Sequence, residues 1–173
     1  MRAGKAGEFD GVSITMNSDY SAEERVYYMV HALGSIVPWS LSRDAVQRLF
    51  DELRDAKKTK HEQPERFEAA IQRYRDFETE SSKYAVWLLT KLGYGNVVAS
   101  YSNFMRADLD SMTQFHRTGQ APVWRTFFEK WNRDVATGRR HIELFSPKPI
   151  PHFQPVKTEN QEILQRQEGE QGD

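Results

Sequence analysis

Apolar residues recur every three or four positions over most of the chain, the spacing of one helix face after another. The first run is Val26, Met29, Val30, Leu33 and Val37. Ser21-Ala22-Glu23-Glu24 stands before it, a capping box in which a hydroxyl and a carboxylate each satisfy an orphan backbone N–H. Gly34 and Pro38 mark the exit of this helix. A second helix is expected from Ser42 or Ser40, with Val46, Leu49, Phe50 and Leu53 on its stripe. Lys57, Lys58 and Lys60 suit the negative pole of its dipole. A third helix opens near Pro64, where the missing N–H costs nothing, and carries Phe67, Ala70, Ile71 and Tyr74 on one face.

The pattern weakens at Thr79-Glu80-Ser81-Ser82 and resumes from Lys83 to Leu92. Tyr84, Ala85, Val86, Trp87, Leu88, Leu89 and Leu92 cover most of that helix, so the fourth helix belongs at the centre of the bundle. Continuation of the third helix through a kink is the alternative. The fifth helix is expected from about Asn96 to Arg117 and the sixth from Pro122 to Gly138. Gly93, Gly119 and Gly138 stand at the stops. Trp124, Phe127, Phe128, Trp131 and Val135 give the sixth helix a narrow aromatic stripe.

Outside these runs the period changes. Val12, Ile14 and Met16 alternate with polar residues, as do Ile142 and Leu144, so a short two-stranded ribbon of about 12–16 and 141–145 is expected at the edge. Pro147, Pro149, Pro151 and Pro155 forbid helix beyond. In a polyproline II strand Ile150, Phe153 and Val156 would share one side. The chain therefore reads as an all-α, single-domain bundle of five or six helices. Residues 1–20 form a flexible or short-strand N-terminal segment and 21–138 the helical domain. Residues 139–156 form an extended proline-rich strap, and 157–173 an acidic tail too polar to fold.

Composition narrows the chemistry more than it defines it. No cysteine occurs among the 173 residues, which removes disulfides, thiolate metal sites and thiol nucleophiles. The formal net charge of −1 argues against a protein that coats nucleic acid. Charge is nevertheless segregated: residues 121–155 hold six basic and three acidic groups, and 156–173 two basic and five acidic. No apolar run is long enough to span a bilayer and no signal core opens the chain, so a cytoplasmic protein without a membrane partner is expected. No phosphate-binding glycine loop, dinucleotide turn, nucleophile elbow or helical Glu-x-x-His occurs. No catalytic residue, cofactor or metal is assigned on this basis.

Asp108 is the one acid inside an apolar arc, in line with Tyr101, Phe104 and Phe115 of the fifth helix. A carboxylate so placed must be paired or protonated, because its desolvation is expensive. The function expected is that of a helical protein-binding protein: an adaptor, inhibitor or assembly subunit, not an enzyme. Its partner is another protein or a second copy, met through Arg125, Lys130 and Arg133 of the sixth helix and Ile150 and Phe153 of the strap. One alternative is a nucleic-acid-binding regulator using the basic segment 121–148. Another is a helical enzyme with a dispersed site near Asp108 and a histidine or arginine.

Overall fold

The structure, a computed structural model, describes residues 7–9, 14–16 and 20–151. Four α-helices form its body: α1 (Ala22–Lys58), α2 (Pro64–Lys91), α3 (Val98–Thr118) and α4 (Trp124–Ala136), with one 3-10 turn (Gly95–Val97) ahead of α3. The all-α class holds, whereas the five or six helices expected from the pattern are four. Two pairs have merged. The exit placed at Gly34 and Pro38 is interior to α1, whose helical geometry breaks only at Ser42. The weak stretch at 79–82 lies inside α2, so the alternative of a continuous third helix applies.

The passage of α1 through Gly34 and of α2 through 79–82 has one cause. A Cβ on Gly34 would sit 2.3 Å from the Ser81 carbonyl oxygen and 3.0 Å from the Ala85 nitrogen. Gly34 is therefore a contact point where α1 and α2 nearly touch backbones, and its partner surface is the small, fully buried Ser81 and Ala85. Residues that look like breakers are the ones that permit close packing. Pro38 removes the helical hydrogen bond to the Gly34 carbonyl, and helical geometry breaks beyond it at Ser42, one of the two starts expected for the second helix.

The outer ends of the four helices lie close to where the sequence puts them. Ser21 Oγ accepts from Glu24 N at 3.2 Å, and Glu24 Oε2 accepts from Ser21 N at 2.6 Å, closing the capping box. Pro64 opens α2, and Gly93, Gly119 and Gly138 leave α2, α3 and α4 with positive φ.

Two apolar clusters divide the interior. The larger is aromatic, built on Tyr27, Tyr101, Phe104, Trp124 and Trp131 with Val86 and Leu89. The smaller holds Leu53, Phe67, Ile71, Tyr74 and Leu109. Leu89 is core, but Leu88 is only half-buried and Leu92 is exposed, so the segment 83–92 is not buried all round. The α1 stripe also differs from its expectation. Val30 and Val37 are buried, while Val26, Met29 and Leu33 are exposed. The inward face instead runs through Tyr27, Val30, His31, Gly34 and Val37, where glycine and histidine hide the pattern.

The ribbon is local. β1 (Gly7–Phe9) pairs antiparallel with β2 (Ile14–Met16), and 141–145 forms no strand. Pairing across a few residues has far less closure entropy to overcome than pairing across the whole domain. Residues 139–151 instead form an extended strap along α3 and α2. Phe145 N donates to Ser102 Oγ at 3.3 Å, and Lys148 N donates to the Lys83 carbonyl at 3.1 Å. The Phe145 ring is buried, with the Arg106 guanidinium 4.1 Å from its centre. The expected flexibility of 1–20, in most of its length, and the acidic tail at 157–173 lie outside the described residues.

Candidate functional site

Two polar assemblies grow from opposite sides of α3. The first is a buried layer between the two apolar clusters. Tyr74, Glu78 and Ser82 follow at intervals of four along α2 and so share a face. Across from them stand His31 of α1 and Tyr101 and Asp108 of α3. His31 Nε2 lies 2.8 Å from Glu78 Oε2, and its Nδ1 lies 3.3 Å from Ser82 Oγ and 3.4 Å from the Tyr101 hydroxyl. Toward the Glu78 carboxylate Nε2 is the donor. Burial pushes the Asp108 carboxyl up to about 7; His31 opposes that rise and Glu78 adds to it. Burial likewise pushes the Tyr101 and Tyr74 hydroxyls well above their ordinary value.

Asp108 thus shares its layer with a histidine, not an arginine. Ser82, His31 and Glu78 even have the connectivity of nucleophile, base and orienting acid. The arrangement is closed to chemistry on a substrate. Ser82 is 2% exposed and its hydroxyl donates to the Glu78 carbonyl at 2.9 Å. The cavity between Tyr74, Glu78, Ser82, Met105, Asp108 and Leu109 measures about 10 Å³, room for one water. Among the described residues no group of His, Asp and Glu could hold a metal ion.

The second assembly is open. A cleft of about 760 Å³ lies along α3 and α4, with Arg75 of α2 and Arg140 of the strap at its sides. Arg117, Lys130, Val123, Phe127 and Trp131 also line it. Asp110 organises one wall: its Oδ1 accepts from Arg75 Nη1 at 2.9 Å and its Oδ2 from Arg140 Nη1 at 3.0 Å. Arg140 also lies 3.9 Å from the centre of the Trp131 ring, a cation–π stack that fixes its plane. Arg117 is held by Glu68 at 2.7 Å. Counting its lining side chains, Arg75, Arg117, Lys130 and Arg140 stand against Asp110 and Asp134, a surplus of two positive charges. Val123 at the rim is 72% exposed, an apolar edge beside the cations.

The residues proposed from sequence scatter over these features. Lys130 lines the cleft and is exposed; Arg133 is exposed but outside its lining. Arg125 faces another way. It clasps Glu24, Nη2 to Oε2 at 3.1 Å, and so ties α4 to the capping box of α1. Ile150 is half-buried at the end of the strap, and Phe153 lies outside the described residues. Sequence reasoning missed Arg75, Asp110, Arg117 and Arg140 as one site. They come from three separate segments, and no spacing rule joins them. For Glu78 a signal existed: with Tyr74 and Ser82 it continues the inward face of α2 in polar residues.

Compared with family models, curated proteins and solved structures, the chain matches none. Among the described residues no helix is long and apolar enough to cross a membrane.

Proposed function

We propose that this is a cytoplasmic helical protein-binding protein whose cleft between α3 and α4 takes an acidic segment of a partner protein. The observation that supports it is the cleft itself, an open trough with a positive surplus, an aromatic floor and an exposed apolar rim. Arginine and tryptophan held rigid by their neighbours are the usual anchors of an interface, since little side-chain freedom remains to be lost on binding. The nucleic-acid reading has less support, because two cations of the basic segment, Arg125 and Arg139, are already paired with Glu24 and Asp134. The enzymatic reading at Asp108 has less again, since its cavity admits only water.

The test is fluorescence anisotropy with a labelled synthetic peptide of glutamates around an Ile-Leu pair. Saturable binding is expected, weakened about tenfold by Lys130→Glu and by raising salt through the Debye range. Absence of saturation at millimolar protein would sink the reading, as would equal affinity for a lysine-rich control.

A further inference from the structure

We infer that the chain's own residues 157–173 occupy the α3–α4 cleft and compete there with an outside partner. The inference rests on the reading of that cleft as a site for acidic segments. Charge carries the first part of the case. The segment holds Glu159, Glu162, Glu168, Glu170 and Asp173 against Lys157 and Arg166, a net charge of −3 beside a cleft with a surplus of two cations. Ile163 and Leu164 follow directly on Glu162, which matches an apolar rim at Val123 beside Lys130.

Reach carries the second part. The strap leaves the cleft at Arg140 and is tied to Lys83 by Lys148, close to where the description ends at Pro151. Between Arg140 and Pro151 the chain can span at most about 40 Å. An equal length beyond Pro151 brings the chain to Glu162, so everything from there on reaches the cleft with slack to spare. Tethering at that distance gives an effective concentration on the order of a millimolar, enough to fill a weak site without tight binding. A partner then has to displace the segment, and its affinity is lowered by the fraction of cleft already filled.

The absence of cysteine makes a direct test clean. In the full chain, Gln165→Cys carries a nitroxide, and amide signals are compared with a diamagnetic label. At low salt, Val123, Phe127 and Lys130 are expected to lose more than half their intensity and to regain it in about 0.5 M salt. Arg117→Glu with Lys130→Glu restores the signals, with unchanged helical circular dichroism as the control. Should that pair unfold, Glu162→Lys, Glu168→Lys and Glu170→Lys make the same test from the segment's side. Those three also raise affinity for the glutamate peptide several-fold. Weak uniform broadening, broadening centred on Val26, Met29 and Leu33, or cleft broadening indifferent to charge reversal would each overturn the inference. Docking with no peptide binding keeps the occupancy and overturns the competition with an outside partner; peptide binding with no docking keeps the proposed function and overturns the inference.

Discussion

Asp108 and Asp110 stand two positions apart on α3 and live in opposite worlds. Asp108 faces the layer between the apolar clusters, where burial drives its carboxyl up to about 7. Asp110 faces the cleft, where two arginines bracket its carboxylate and about 29% of its side chain meets solvent. One carboxyl tends to keep its proton because water has been removed. The other sits between two arginines that hold it from either side. The contrast separates two uses of polarity in this molecule: inside, it joins three helices at one level; outside, it lines an open cleft with a surplus of positive charge.

The closed side has no slack, and the largest effect is expected there. At Gly34 the α1 and α2 backbones are near contact, and a Cβ would fall 2.3 Å from Ser81 O. Gly34→Val adds two methyl groups beyond that Cβ, against backbone that cannot rotate away. The helices must separate beside Ser82 and His31, opening the polar layer. A loss of more than about 4 kcal/mol is expected in urea unfolding, or failure to fold at 37 °C. A variant within about 1 kcal/mol of the parent would show that the two helices do not cross there.

A smaller effect, of a kind the open side cannot show, belongs to Asp108. The ordinary carboxyl value is 3.8 and the folded value about 7, so between these the folded chain holds a proton that the unfolded chain has lost. Stability from this group is full below pH 4 and falls as pH rises to about 7. His116 works with the opposite sign. Burial, aided by Lys57, lowers it to about 4 from 6.5, so its contribution grows as pH rises across that range. The parent's profile mixes the two, and Asp108→Asn leaves only the second. The variant is expected to match the parent near pH 4 and to exceed it by roughly 2–4 kcal/mol at pH 8. Urea midpoints at the two pH values measure this, and an equal difference at both would mean that Asp108 titrates normally in the fold.

The two sides were also unequally legible. The capping box, the Pro64 start and the three glycine stops are local chemistry, and each stands where its residues put it. Asp108 was marked by being polar in an apolar arc, a local signal again. Its companions were harder, because His31 lies 77 residues away on a face whose apolar pattern Gly34 and His31 themselves interrupt. The breaks read at Gly34 and at 79–82 were close-packing residues, and propensity alone cannot tell a small residue that ends a helix from one that admits a neighbour. The cleft was illegible for a different reason. Arg75, Asp110, Arg117 and Arg140 each read as an ordinary solvated charge, and only the return of the strap across α3 makes them one surface.

Asp110→Asn is the counterpart that completes the comparison, and its expected effect on stability is the smallest. The substitution keeps the shape and removes the charge, so Arg75 and Arg140 each lose an ionic partner at about 3 Å. Neither guanidinium is stranded. Arg75 Nη1 retains the Thr113 hydroxyl at 2.8 Å, and Arg140 retains its stack on Trp131 and access to water. Pairs exposed to this degree contribute little, and a loss of about 1 kcal/mol or less is expected. Binding moves the other way. Removing the anion raises the cleft's positive surplus by one charge, and the glutamate peptide should bind several-fold more tightly at low salt, with the gain vanishing near 0.5 M. Anisotropy and urea unfolding on the same preparation read both quantities. Tighter binding with slightly lower stability is the signature of a cleft held back by its own carboxylate. If stability and affinity fall together, Asp110 is a structural pin like Glu24, and the distinction between the two faces of α3 fails.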